Sequence, residues 1–248
     1  MIKNMMAVVL AAGKGSRINA RNINKVMYPL AGKPMIGYTI DLLNNVGLEK
    51  ILLVVGFKKD SIIKYFGKKL IYVDQRRRLG TAHALKCALK EIPLKTKNIF
   101  VCYSDDTAFY PSGVIKRLLK YHLLNKKDLS ILTVVKKNPF GLGRIIRDEK
   151  GKLKGIIEEK STTATQKKIK EINTGCYCFK VEFIKKYLRL IKKDPIKKEY
   201  YLTDIVSLAI KKNKKVGSLK VSKGEYFQGI NTKDQLKKAE SLMKTRVY

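Results

Sequence analysis

Short apolar runs of strand length, separated by amphipathic helical patterns, constrain this chain more than any other feature. The runs are Ala7–Ala11, Ile51–Val55, Leu70–Val73, Ile99–Tyr103 and Leu129–Val135; the helical patterns between them lie at Met35–Asn45, Lys59–Phe66, Thr81–Glu91 and Gly113–Leu124. A strand that is apolar at successive positions must be covered on both faces, which helices on either side of a parallel sheet accomplish. The alternation therefore predicts an α/β protein with a doubly wound, mostly parallel sheet. After residue 135 the pattern loosens. Gly143–Arg147 and Leu153–Ile157 flank a turn at Asp148–Gly151 and read as a hairpin. Ile172–Val181 reads as a strand, Glu182–Ile191 and Thr203–Lys212 as helices, Val216–Val221 as a strand, and a last helix begins at Thr232. No Pro/Gly/Ser-rich linker or repeat divides the 248 residues, so one domain with an inserted β-rich lobe around 140–180 is expected.

The formal net charge of +34 raises a nucleic-acid reading. Its distribution argues against that. Residues 1–124 hold 22 basic and 7 acidic side chains and residues 125–248 hold 32 and 13, so no single tail or stripe concentrates the excess. Most of the 44 Lys fall at helix positions expected to face solvent. Cys87, Cys102, Cys176 and Cys178 have no metal-ligand spacing, and are expected as buried thiols in a reducing cytoplasm. No apolar stretch reaches the ~18 residues of a membrane helix. A secretory signal is the alternative reading of the N-terminus, with Lys3 before the apolar run; that run is at the lower limit of length and leads straight into a glycine loop.

That loop, "LAAGKGSR", follows a strand and can cradle phosphate. It is not a P-loop, whose first Gly and final Ser/Thr would fall at Val8 and Gly15, nor a dinucleotide fingerprint, whose third Gly would fall at Ile18. Gly13 and Gly15 allow backbone N–H groups near an anion, and Arg17 and Lys25 add cations suited to a polyphosphate.

The loop is followed, in order, by "KVMYPLAGKPM", "QRRRLGTAHAL", "YSDD", "GRIIRDEKGKLKGIIEEK", "EINTG", "EYYLTDIV" and "GIN". This series resembles the sugar-1-phosphate nucleotidyltransferases over essentially the whole chain, and within them the uridyltransferase domain of bacterial N-acetylglucosamine-1-phosphate uridyltransferase. The resemblance implies a Rossmann-like sheet of the nucleotide-diphospho-sugar transferase type. Residues 1–135 would form the nucleotide-binding part, 136–231 the sugar-binding part and 232–248 a C-terminal helix. It stops short of the hexapeptide-repeat acetyltransferase domain of the bifunctional form, so that second activity is expected to be absent.

The implied reaction is attack of a sugar-1-phosphate oxygen on the α-phosphorus of UTP, with release of pyrophosphate. The nucleophile is already anionic, so positioning and charge stabilisation are the main demands. Asp105 ends the apolar strand "IFVCYSD", where such sheets place ligand-facing residues. The resemblance implies that Asp105 and Asn231 hold Mg²⁺, with Arg17 and Lys25 on the phosphates; Asp106 is an adjacent substitute. Leu10, Ala11, Ala12, Gly13, Gly15, Gln75, Gly80 and Thr81 are the expected nucleotide contacts, Gln75 because its amide suits the uracil edge. Tyr103, Ser104, Gly143, Glu158 and Asn173 are the expected sugar contacts. Glu158 follows Ile156–Ile157 and needs a bonded partner, a ligand or Lys160, to be buried. "LGTAHA" also reads as an N-capped helix, with His83 a surface or satisfied core residue, and Arg76–Arg78 as a solvated run able to reach phosphate. "EYYLTD" is expected to shape the pocket wall, with Thr203 or Asp204 capping a helix and no chemical role.

Several positions depart from the family pattern. Asn24 stands where Pro is usual and the Arg17–Lys25 interval is one residue longer, which predicts a looser lid around Lys25. Ser104, Asp106, Thr107 and Ala108 surround Asp105 where a Gly and a Val-Pro-Leu segment are usual. Arg78 replaces Gln, and "FQG" precedes Ile230. The expected partners are UTP and a sugar 1-phosphate, with no specific nucleic acid and no membrane, and oligomeric state is left open. The competing readings are a transferase for another sugar phosphate or base, and a basic RNA- or polyanion-binding protein on a degenerate transferase fold.

Overall fold

The computed structural model describes residues 2, 4–15, 23–222, 229–230 and 232–245. Its first strand, β1 (Met5–Leu10), is buried at every position. Successive residues point to opposite faces, so Met6, Val8 and Leu10 join one apolar cluster while Met5, Ala7 and Val9 join another. This continuous apolar run is what a central strand between two helical layers requires.

The remaining elements follow in order. A short hairpin, β2 (Pro29–Leu30) and β3 (Lys33–Pro34), leads into α1 (Met35–Val46), β4 (Ile51–Val55), α2 (Lys59–Phe66), β5 (Ile71–Asp74), α3 (Thr81–Ala88), β6 (Asn98–Tyr103), α4 (Ser112–Leu124) and β7 (Leu129–Val135). Then come β8 (Arg144–Arg147), β9 (Leu153–Ile157), α5 (Ala164–Lys167), β10 (Glu171–Lys180), α6 (Val181–Tyr187), α7 (Asp204–Lys211), β11 (Val216–Val221) and α8 (Lys233–Thr245). The main sheet has the order β11-β7-β10-β6-β1-β4-β5, with the β8–β9 hairpin attached through β8 to β10. Neighbours along the main path are parallel except at β10, which is antiparallel to both β6 and β7.

The doubly wound α/β expectation holds. One face is covered by α3, α6 and α7, the other by α1, α2 and α4. Boundaries shift by a residue or more: β1 stops at Leu10, β5 starts at Ile71, and α3 stops at Ala88 rather than Glu91, a few residues ahead of Pro93. The helix expected over Glu182–Ile191 is α6 followed by a 3₁₀ turn at Leu188–Leu190. The β2–β3 hairpin and α5 were not foreseen, being too short to carry a period. All four Cys are free thiols; Cys102, Cys176 and Cys178 are buried as expected, whereas Cys87 is only half-buried. Among the described residues, no helix is long and apolar enough to cross a membrane.

Candidate active site

The carboxyl ends of β1, β5 and β6 open onto a cavity of about 610 Å³, which the β8–β9 hairpin and the amino-terminal half of β10 close from the far side. Fifteen sequence-predicted site residues line it together: Leu10, Ala11, Ala12, Gly13, Gly15, Lys25, Gln75, Gly80, Thr81, Tyr103, Ser104, Asp105, Gly143, Glu158 and Asn173. Arg17 and Asn231 lie outside the described residues. Lys14, Arg78, Asp106, Glu199 and Thr203 also line the wall.

The glycine turn follows β1 directly, and Gly15 has φ of 64°. Across from it, the Lys25 ammonium forms an ion pair with Asp105 Oδ2, both side chains being largely buried. Asn24 sets this contact and is fully buried. Its Nδ2 donates to Ala11 O (3.1 Å) and Phe57 O (2.6 Å), and its Oδ1 accepts from the Val26 N–H (3.1 Å). Three hydrogen bonds thus fix the residue before Lys25, while most of the lid between Arg17 and Lys25 that is expected to be looser lies outside the described residues. Pattern reasoning misses this because one of the acceptors belongs to Phe57, 33 positions away.

Gln75 is buried at the end of β5, and its amide NH₂ donates to Gly80 O (3.0 Å) and meets His83 Nδ1 (3.1 Å). His83 is therefore a bonded residue behind the pocket wall, in contact with the lining residue Gln75. Gly80 has φ of 97°, and a Cβ there would lie 2.5 Å from Tyr200 O, so the approach of the "EYYLTD" segment to α3 demands glycine. The expected N-cap by "LGTAHA" is corrected: Gly80 precedes the helix and no side chain caps it. Thr81 Oγ1 instead accepts from the Leu202 N–H at 2.9 Å.

At the opposite end, Glu158 is half-buried. Its Oε1 accepts from Thr203 Oγ1 (2.9 Å), and burial pushes its carboxyl above the usual range. Thr203 thus has a role that sequence reasoning withheld from it. It precedes α7, but its hydroxyl reaches across to β9's end rather than capping the helix. Asn173 Nδ2 donates to Tyr177 Oη (2.7 Å), and its Oδ1 accepts from the Gly175 N–H (3.1 Å). The β10 register shifts between Asn173 and Tyr177, where Gly175 has φ of 75° and a Cβ would meet the Tyr103 ring at 2.4 Å. Tyr103's phenol is held far above its ordinary value, first by burial and then by the nearby Glu158 carboxylate. Ser104 is nearly inaccessible and its one proton is committed to Leu10 O at 3.1 Å.

The loop between these regions is clamped from behind. Arg144, 2% exposed, bonds to Leu142 O and ion-pairs with Glu159 Oε2 (2.7 Å), which also accepts from the Gly141 N–H (3.1 Å). The other histidine, His122, contributes nothing to the cavity; it is buried between Ser130 and Asn98, and desolvation pushes its pKa down to about 4.

Residues 7–165 match the family described as the MobA-like NTP transferase domain. The chain belongs to that family. It is accordingly a nucleotidyltransferase, and the cavity at the strand ends is where this fold places its ligand. The chain is 35% identical over 243 residues to the bifunctional protein GlmU of Acetivibrio thermocellus, covering 98% of this chain and 52% of that protein. It is 37% identical over 249 residues to GlmU of Caldicellulosiruptor saccharolyticus, covering 100% and 53%. The chain thus spans about half the length of the curated relatives it matches. A solved structure described as a glucose-1-phosphate thymidylyltransferase of Bacillus anthracis in complex with a sucrose superposes with a TM-score of 0.82. It covers 98% of this chain and 97% of its own at 20% identity, which establishes a shared fold.

Proposed function

We propose that this NTP transferase domain transfers UMP from UTP to N-acetylglucosamine 1-phosphate, releasing pyrophosphate and forming UDP-N-acetylglucosamine. What carries the reading is one cavity with a glycine turn and the Lys25–Asp105 pair at one end, and Glu158, Asn173 and Tyr103 at the other. Residues 1–135 supply mainly the nucleotide-binding part, with Tyr103 and Ser104 reaching the sugar, and 136–231 mainly the sugar-binding part; the helix Lys233–Thr245 follows.

A sugar-phosphate oxygen attacks the α-phosphorus while the bond to the β-phosphate oxygen breaks and pyrophosphate departs. No base is needed, because the attacking oxygen carries its charge already. The Gly13–Gly15 turn cradles the triphosphate through backbone N–H groups. Lys25, and Arg17 by resemblance, counter charge on the departing phosphates. Glu158 accepts from sugar hydroxyls, and Asn173 retains one N–H for a hydroxyl or acetamido oxygen.

The donor chemistry fits Mg²⁺. Among the described lining residues, Lys14, Lys25 and Arg78 face Asp105, Asp106, Glu158 and Glu199, so the wall has fewer cations than carboxylates although it must hold two phosphorylated substrates. Among the described residues no cluster of three or more His, Cys, Asp or Glu forms a metal cage. A hard divalent ion needs only one or two protein oxygens when phosphates supply others. Asp105 would hold it, with Asn231 by resemblance, and the ion when bound would neutralise phosphate charge.

The test is a pyrophosphate-release screen of four NTPs against several sugar 1-phosphates. UTP with N-acetylglucosamine 1-phosphate should give the highest turnover, and a different preferred pair, or no turnover with any, overturns the reading. Asp105→Ala should lower that turnover by about 10³-fold with the fold intact.

A further inference from the structure

Among the described lining residues, Gln75 carries the side-chain amide on the nucleotide side of the cavity, and its orientation decides which bases it can read. A side-chain amide offers an NH₂ donor on one side and an oxygen acceptor on the other. Here the geometry leaves one choice. The atom 3.0 Å from the Gly80 carbonyl must be the NH₂, since a carbonyl oxygen only accepts. The same NH₂ lies 3.1 Å from His83 Nδ1, so its second proton points to a ring nitrogen that must also accept. That requires neutral His83 with its proton on Nε2. Burial, and then the Lys86 charge, lower the His83 pKa and favour that neutral form. Cys87 Sγ, one helical turn on, is 4.0 Å from the same Nδ1 and can offer a further weak donor.

Both protons of the amide are thus held by the protein, and the remaining feature of Gln75 available to a ligand is Oε1, a pure acceptor, in a residue that lines the cavity. Beside it, Gly80 and Thr81 open α3, where backbone N–H groups have no acceptor within the helix. An acceptor next to backbone donors complements an N–H between two carbonyls. That is the imide edge of uracil or thymine. Cytosine and adenine place a bare ring nitrogen where that N–H should be, bringing two acceptors face to face with no proton between them.

We infer that His83 is the specificity-positioning residue of this site, holding the Gln75 amide so that the cavity selects nucleotides with an imide edge. The inference rests on reading the cavity as the UTP site and adds a residue that the motif comparison left without a role.

Binding without any sugar phosphate separates it from the reading of the reaction. Equilibrium dialysis of the intact chain should show UTP and dTTP held more tightly than CTP or ATP by about 100-fold, the scale of a site rejecting a mispaired hydrogen-bonding edge. His83→Phe removes the acceptor and should shrink the UTP/CTP ratio at least about tenfold, whereas His83→Gln, whose own amide oxygen accepts, should keep it within about threefold. Nitrogen NMR of the wild-type imidazole should show the Nε2–H tautomer. Equal affinity for UTP and CTP, a ratio unmoved in folded His83→Phe, or an Nδ1–H tautomer overturns the inference. Selective UTP binding with the predicted tautomer but no pyrophosphate release would uphold it while sinking the uridylyl-transfer reading.

Discussion

Glu158, half-buried, and Glu171, buried, are glutamates of the same β-rich region, and they are treated in opposite ways. Glu171, at the start of β10, accepts from Thr133 Oγ1 (2.6 Å) and from Arg147 through both Nε (2.9 Å) and Nη2 (2.5 Å), with Lys220 at 3.8 Å. These partners outweigh burial and pull its carboxyl below the usual range. Glu158, just past the end of β9, accepts from the Thr203 hydroxyl, and burial pushes its carboxyl up. A carboxylate saturated by its own protein locks the hairpin to the sheet and offers a ligand nothing. One left half-satisfied in a cavity wall keeps acceptor capacity for a substrate, at a cost in stability.

The comparison breaks most visibly through Arg147. Arg147→Met removes the main cation from a buried pair and should destabilise the fold by about 3 kcal/mol in chemical denaturation, with turnover per folded molecule nearly unchanged. A loss of turnover without a loss of stability would put Glu171 in the site. Glu158→Gln should do the reverse. It leaves stability at neutral pH equal or higher and raises KM for the sugar phosphate about thirtyfold, as expected for a lost hydrogen bond to a charged group.

The two residues should also differ in the sign of their pH dependence. Glu171 has a depressed folded pKa, so its contribution is present above the ordinary glutamate value and lost as pH falls through the folded one. Glu158 has a raised folded pKa, so its contribution is full below the ordinary value and lost as pH rises through the folded one. Denaturation of wild type, Glu158→Gln and Glu171→Gln across acidic to neutral pH reads the difference; slopes of the same sign would refute it. The smallest effect belongs to Thr203→Val, which should raise KM for the sugar phosphate about fivefold and leave KM for UTP unaltered.

How much of this was legible in the sequence differs between the two walls. The glycine turn, Asp105 at a strand end and Gln75 at another follow from local patterns, since apolar periodicity fixes where strands end and those ends form the cavity. The hydrogen-bonding roles of Asn24, Thr203 and His83 were not legible. Each has its decisive partner in a different element, and neither charge nor period marks such a pairing. The Arg144–Glu159 clamp likewise hides within "GRIIRDEKGKLKGIIEEK", where the two charges read as surface residues.

By itself, then, the sequence determined the doubly wound sheet, the order of its strands along the chain and the set of residues gathered at their carboxyl ends, because side-chain alternation and turn chemistry act over a few positions. Only the tertiary structure decided that Lys25 meets Asp105 across 80 positions, that Thr203 partners Glu158, and which way the Gln75 amide faces. The Lys25–Asp105 and Thr203–Glu158 contacts join elements far apart in the chain, the second through α7 packing against β9, and no local spacing encodes such pairings.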